Sequence, residues 1–274
     1  MVKNRINFNG SLVKTSEWTV WHPRGFRYGD GIFETMRLQG GGVPLLPYHA
    51  LRLKRGLKML GITDADRYTE ERLGALVGEL AGSEATGRVR LTVARAEGGK
   101  YLPASNESIF VLEFEPVQYS RSWYTEGWHV GVSEGLRMPT HPLANLKSTS
   151  ALAYVYAARE RQHHNWDDIL LRNHYGRFSE GGHTNLFCYF EGHWYTPPLG
   201  EGGVAGVLRQ YLLDHHGHCR KMEIDAADLR YADEIVLTNA TGGIHSVSRV
   251  AGYRSYPHRR GTALGRWLGE ELGG

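Results

Sequence analysis

Apolar and polar residues follow two periods along this chain, near two in some stretches and near 3.6 in others. Arg88-Val89-Arg90-Leu91-Thr92-Val93 alternates strictly, as a half-buried strand does. Ile109 to Phe114 is nearly continuous in its apolar character and predicts another strand. Arg5-Ile6-Asn7-Phe8 and Ser11-Leu12-Val13 flank Asn9-Gly10, a type I′ turn pair, and so predict a hairpin. Gly31 to Leu38 is strand-like and runs into Gly40-Gly41-Gly42. Between these strands lie two helical patterns. One starts near Tyr48 with Leu53, Leu57 and Leu60 on one face, and the other covers roughly Glu70 to Leu80.

Turn-rich stretches at 115–127 and 134–142 interrupt the pattern. An alanine-rich helix is predicted over 148–162, with Leu152, Val155, Tyr156 and Arg159 on one side. Strands follow at 168–172 and 185–190, with a turn at Glu191-Gly192 toward Trp194-Tyr195. A helix at 207–215 and a strand at 234–238 complete the pattern. The class is α+β. The expected organisation is a small N-terminal α/β domain over 1–115, an interdomain linker and first strand of the large domain over 116–142, and a large domain over 143–274.

Composition narrows the function classes. Of 274 residues 41% are hydrophobic, sufficient for a substantial core, and the net charge of +3 suggests no nucleic-acid role. The fourteen histidines are scattered and form no metal-ligand motif, and Cys188 and Cys219 are too few for a disulfide framework. The N-terminus lacks an apolar signal region, and no run approaches the ~18 apolar residues a membrane helix needs. A soluble cytoplasmic protein without a membrane partner is the expectation.

Chemistry can reside in few places. Of seven lysines, six sit in polar or turn-like contexts, whereas Lys147 lies between a proline-marked loop and an apolar helix. A partly apolar setting makes a lysine nucleophilic; the alternative is a helix-start lysine reaching for water. Glu180 precedes two glycines and a strand, where it could hold a pyridinium nitrogen protonated or be an ordinary hairpin acid. Gly200 to Arg209 is a glycine-rich loop opening a helix, a phosphate-binding geometry or a flexible loop. Thr238 to Ile244 ends a strand in small residues, suited to an anion or to a turn. Arg52 opens a basic run but is about 200° out of helical phase with Lys54, so it can point elsewhere.

The order of these segments resembles the class IV aminotransferase family, the fold type IV pyridoxal-phosphate enzymes that include 4-amino-4-deoxychorismate lyases and D-amino-acid and branched-chain aminotransferases. Carrying the resemblance are Arg27 to Arg37, His49 to Leu53, Asn145 to Ser148, Glu180 to Phe187, Gly206 to Arg209 and Thr238 to Ala240. It implies two α/β subdomains with pyridoxal 5′-phosphate between them, a homodimer, and a small amine or amino-acid substrate. It makes Lys147 the Schiff-base lysine and proton shuttle, Glu180 the partner of the ring nitrogen, and Arg52 a phosphate ligand. Val207, Leu208 and Ala240 would contribute amides to the phosphate, with Asn239 nearby, and Asn185 joins the cofactor-binding set. Tyr28, Arg37 and Arg95 are the implied substrate-binding residues. Gly181-Gly182-His183-Thr184, His245 and Ser246 depart from the family pattern.

Phe33-Glu34-Thr35-Met36-Arg37 and the Arg88 to Pro103 segment resemble the lyases more than the branched-chain enzymes. The expected reaction is therefore release of pyruvate from 4-amino-4-deoxychorismate. A D-amino-acid or branched-chain transaminase is the alternative, and an inactive cofactor-binding protein a third reading. Arg95 shares the parity of Val89, Leu91 and Val93, so it faces the apolar side and needs a partner. That partner is a substrate carboxylate or a structural one such as Glu113.

Overall fold

The computed structural model describes residues 5–14, 23–119 and 122–273. The chain divides into two compact units, the first reaching Tyr119 and taking in Lys147–Ala151, the second holding the remainder.

In the first unit β1 (Arg5–Phe8), β2 (Ser11–Lys14), β3 (Gly31–Leu38), β4 (Gly87–Arg95) and β5 (Ser108–Pro116) form one antiparallel sheet in the order β2-β1-β5-β4-β3. Asn9 and Gly10 both take positive φ, 52° and 95°, as the predicted hairpin turn demands. Helices α1 (Pro23–Tyr28), α2 (Leu46–Met59) and α3 (Glu70–Ala81) belong to the same unit. Leu53 and Leu57 of α2 and Leu73 and Val77 of α3 are buried with Met36, Leu91 and Leu112 of the sheet. Leu60 departs from its predicted place: α2 stops at Met59, and Leu60 is its C-cap, bonding back to Gly56.

In the second unit eight strands form a mixed sheet: β6 (Tyr124–Val132), β7 (Asp168–Arg172), β8 (Phe178–Gly181), β9 (Asn185–Phe190), β10 (His193–Thr196), β11 (Cys219–Lys221), β12 (Glu234–Asn239) and β13 (Gly243–Val250). Their order is β11-β10-β9-β12-β13-β6-β7-β8. Helices α4 (Leu152–His163), α5 (Val207–His215), α6 (Ala226–Tyr231) and α7 (Arg259–Leu272) complete it. Phe178, Leu186, Ile235, Leu237 and Val247 anchor its core.

Two further features differ from the sequence expectation. The helix predicted from residue 148 begins at Leu152, because the chain before it is extended and bonded to β3: Phe33 N donates to the Lys147 carbonyl at 2.9 Å and Thr149 N to the Gly31 carbonyl at 2.9 Å. Residues 147–151 thus depart from the single stretch 143–274. Second, α7 goes unnoticed in the sequence, because two of its four buried positions are glycines. A Cβ on Gly261 would lie 2.1 Å from Ser246 Oγ, and one on Gly265 2.5 Å from Tyr124 Cβ. Close approach of the helix backbone, rather than large side chains, makes that contact. Among the described residues no helix is long and apolar enough to cross a membrane.

Candidate active site

In the first unit, β3 organises the chemistry on both its faces. Phe33 points one way and Glu34 the other, as alternation requires. The Lys147 ammonium lies 4.5 Å from the centre of the Phe33 ring, and the Arg90 guanidinium 3.9 Å from it. Arg37, two register steps along the same face, is 3% exposed and stacks on Tyr119 at 4.9 Å; burial lowers its pKa. Gly29 is required just before β3: its φ is +63°, and a Cβ there would meet Ser150 Oγ at 1.9 Å.

On the core face Glu34 is 2% exposed. Arg52 Nε donates to its Oε1 at 2.8 Å, Arg52 Nη2 contacts Oε2, and His49 Nδ1 lies 2.6 Å from Oε2. Burial alone would raise the Glu34 carboxyl, but the Arg52 charge and the hydrogen bonds of Arg52 and His49 outweigh it and hold the pKa at about 2. Burial, against the pull of Glu34, lowers His49. A neutral His49 facing an ionised carboxylate donates from Nδ1. Arg52 thereby separates from the basic run it opens, since Lys54 and Lys58 pair with exposed Asp66.

Arg95 requires a correction. It is buried on the predicted face, but its partners are internal: Nε donates to Asp30 Oδ2 at 2.9 Å, Nη1 to Asn106 Oδ1 at 2.6 Å and Nη2 to the Leu60 carbonyl. Neither a substrate nor Glu113 is needed to balance it. Asp30 also takes Arg24 Nε at 2.8 Å, and Arg24 holds the carbonyls of Gly98 and Lys100. This knot fixes the loop after β4. Tyr28 is partly exposed beside Tyr101 and Arg24.

In the second unit Glu180 ends β8 at 3% exposure. Tyr154 OH donates to Oε1 at 2.6 Å, Val204 N to Oε2 at 3.0 Å and Asn185 Nδ2 to Oε2 at 3.5 Å. Burial, then the adjacent carboxylate, push Tyr154 far above the ordinary tyrosine range, so it remains a neutral donor. Sequence reasoning missed Tyr154, which lies off the apolar stripe of α4, and it could not see a backbone amide.

The glycine-rich loop is clamped from several sides. Asn145 Nδ2 donates to the carbonyls of Leu199 (2.8 Å) and Gly203 (2.7 Å), and its own carbonyl accepts from Ala205 N. Asn185 Nδ2 reaches the Val204 carbonyl at 3.0 Å. Glu201 is buried under Arg177 and Asn173. The loop ends at Gly206, the N-cap of α5, which offers no side chain to the amides that follow. Near the other candidate cradle, Asn239 Oδ1 accepts from Thr241 N, Thr241 Oγ1 and Gly242 N, shaping the turn through Ala240.

Of the atypical residues, Gly182, His183 and Thr184 are tied to a buried acid, and His245 packs on a ring. Asp168 is fully buried and binds the turn after Glu180, taking Gly182 N at 3.1 Å, Thr184 Oγ1 at 2.6 Å and His183 Nδ1 at 3.1 Å. Burial opposes its ionisation, but His183, Thr184 and the Ile169 amide win and hold it low. His245 stacks on Trp128 with ring centres 3.9 Å apart, and burial, then His183, lower it to about 4.

The amino-transferase class IV family model matches residues 31–250 of this chain, which covers both clusters. The chain belongs to the class IV aminotransferase family.

Among relatives of this family, the aminodeoxychorismate lyase of Vibrio harveyi is 28% identical over 236 residues, covering 83% of this chain and 86% of that protein. The D-alanine aminotransferase of Bacillus licheniformis is 24% identical over 259 residues, 90% and 89% respectively. The solved 4-amino-4-deoxychorismate lyase of Pseudomonas aeruginosa superposes with a TM-score of 0.81 at 28% identity, covering 97% of this chain and 99% of that one. A branched-chain aminotransferase of Thermoproteus uzoniensis reaches 0.86 at 23% identity, covering 98% and 95%, and shares the fold. The chain is thus a fold type IV, pyridoxal-phosphate-dependent enzyme of lyase or aminotransferase type.

The side chains present suit that cofactor. Lys147 is half-buried against an aromatic ring, and Glu180 is a buried acid with neutral donors on both oxygens. A Cβ on Gly206 would come within 1.7 Å of Asn185 Oδ1 and one on Gly203 within 2.8 Å of the Ser179 carbonyl, so bare backbone is exacted along the loop leading into α5.

Proposed function

We propose that this class IV enzyme is a 4-amino-4-deoxychorismate lyase, releasing pyruvate and leaving 4-aminobenzoate. The observation that carries this reading is the arginine pair on the Lys147 side of the five-stranded sheet. Arg90 lies over the same ring as Lys147 Nζ, and Arg37 shares that face. The substrate carries two carboxylates, and a guanidinium is the side chain best shaped to take one. Arg90 takes the place first expected for Arg95. The likeness to two lyases at 28% identity supports the same reading.

Bound pyridoxal phosphate supplies an aldehyde that takes up the substrate amine and a protonated ring that withdraws electrons from the adjoining carbon. Lys147 would hold the cofactor through Nζ and, once displaced by the substrate amine, would accept the proton of the amine-bearing carbon. Glu180 keeps the ring nitrogen protonated, while Tyr154 and the Val204 amide keep its carboxylate ionised and aimed. Arg52 in the first unit, and the amides of Val207, Leu208 and Ala240 in the second, are the groups suited to hold a phosphate. Asn185 ties Glu180 to the loop, and Asn239 presents Ala240. Arg37, Arg90 and Tyr28 orient the substrate. The enzyme works as a homodimer, and the exposed apolar stripe of Leu152, Val155 and Tyr156 on α4 suits burial by a second copy.

The test is product analysis with 4-amino-4-deoxychorismate beside D- and L-amino acids with 2-oxoglutarate. The lyase reading expects 4-aminobenzoate and pyruvate in equal amounts. Keto acids from D-alanine with no 4-aminobenzoate would replace it with D-amino-acid transamination. Arg90→Ala is expected to raise KM for the lyase substrate at least ~10-fold.

A further inference from the structure

Glu34 occupies a core-facing position of β3, between Ile32 and Met36, both of them buried. An ionised carboxylate at such a place is a poor stability device, since a buried ion pair seldom outperforms apolar side chains of equal volume. Its geometry is nonetheless fully specified. Arg52 grips it through two nitrogens, and His49 Nδ1 occupies Oε2 from the same helix, α2. The carboxylate cannot rotate without losing one of three donors, so Arg52 cannot rotate either.

On the opposite face the adjoining residue, Phe33, does the same for Lys147. Its amide donates to the Lys147 carbonyl and its ring lies beneath the ammonium. Successive strand residues are ~3.3 Å apart along the strand and point oppositely, and β3 is locked to β4 by pairing from Gly31 through Leu38. The placement of Arg52 relative to Lys147 is therefore set by one dipeptide in a rigid strand.

We propose that Glu34 is a positioning residue that aims Arg52 at the cofactor phosphate, and that Phe33-Glu34 sets the separation between Lys147, which would hold the aldehyde, and Arg52, which would hold the phosphate. The inference rests on the reading of Arg52 as a phosphate ligand.

The test compares dissociation constants of the full-length, cofactor-depleted protein for pyridoxal phosphate and for pyridoxal, which has the same aldehyde and no phosphate. Their ratio isolates the phosphate contact from the bond to Lys147. Glu34→Gln is expected to reduce the preference for the phosphorylated form at least ~10-fold and to leave pyridoxal affinity within about twofold. Phe33→Leu is expected to weaken both ligands alike. Arg52→Gln should reduce the preference at least as far as Glu34→Gln does. If Arg52→Gln retains it, the phosphate reading falls and the inference with it. If Arg52→Gln loses the preference while folded Glu34→Gln keeps it, the positioning role alone is overturned. Equal weakening of both ligands in Glu34→Gln also overturns it, since that is the mark of a purely structural acid. Should Glu34→Gln not fold by circular dichroism, Glu34→Asp, which keeps the charge but withdraws the carboxylate by one methylene, decides the matter by the same ratio.

Discussion

Glu34 in the first unit and Glu180 in the second are both nearly inaccessible to water, 2% and 3% exposed, yet they are held by different kinds of partner. Glu34 is gripped by a guanidinium and an imidazole, and its charge is balanced by Arg52. Glu180 takes a phenol, a backbone amide and a carboxamide. The nearby buried guanidinium of Arg209, lowered to about 10 by burial, donates instead to Thr196 and the Pro197 carbonyl. Neutral donors stabilise a carboxylate without cancelling its charge, which suits the partner of a cationic ring nitrogen proposed for Glu180. An acid already paired to an arginine suits the proposed placing of that arginine. The two buried glutamates are thus distinguished by the chemistry of their partners.

The largest effect tests the lysine proposed to carry the cofactor. Lys147→Ala should lower turnover by at least ~10²–10⁴-fold, and borohydride should then fix no cofactor to the chain. A labelled peptide containing any other lysine would remove Lys147 from the mechanism.

Arg95→Ala asks whether the buried arginines of the first unit are all alike. It should cost roughly 2–4 kcal/mol of stability, since Asp30, Asn106 and the Leu60 carbonyl lose their donor. The KM should stay put; a folded variant with unchanged melting and a tenfold higher KM would restore Arg95 as a substrate ligand.

Acid should test the first of these glutamates. With a folded pKa of about 2 against an ordinary 4.5, the Glu34 contribution is complete above pH 4.5 and lost as pH falls through about 2. Across that window the wild type should lose on the order of 3 kcal/mol that Glu34→Gln does not lose. Thermal melts should therefore converge as pH drops from 5 to 2; parallel curves would show the pair to be uncoupled from folding. Asp168, also held low, contributes acid sensitivity of the same sign to both proteins.

The smallest effect concerns the neutral donors. Tyr154→Phe removes one hydroxyl from Glu180 and should reduce kcat about tenfold, the worth of one hydrogen bond to a charged group, with KM little altered. A kcat equal to wild type would mean that Val204 and Asn185 suffice.

Much of this was legible before any fold was known. The Asn9-Gly10 hairpin, the alternation in β4 and the outward phase of Arg52 from its lysine neighbours follow from local rules. Lys147 and Glu180 stood out through the order of their motifs. Arg95 marks the limit of such reading. Parity correctly put its guanidinium on the buried face, but Asp30, its partner, is 65 residues distant in sequence, and no period connects them. Tyr154 was hidden because a helix stripe scores apolar faces and ignores a single hydroxyl meeting an acid 26 residues on. The amide of Val204 carries no residue-type signal at all.

By itself, the sequence determined which residue types could do chemistry and many of the strands and helices, since both depend on side-chain character and on periods of two or 3.6. Tertiary structure alone decided what each charge is paired with. Hydrogen bonds form between atoms within about 3 Å, and only the folded chain brings Glu34 to Arg52, Arg95 to Asp30, and the Val204 amide to Glu180 at such range.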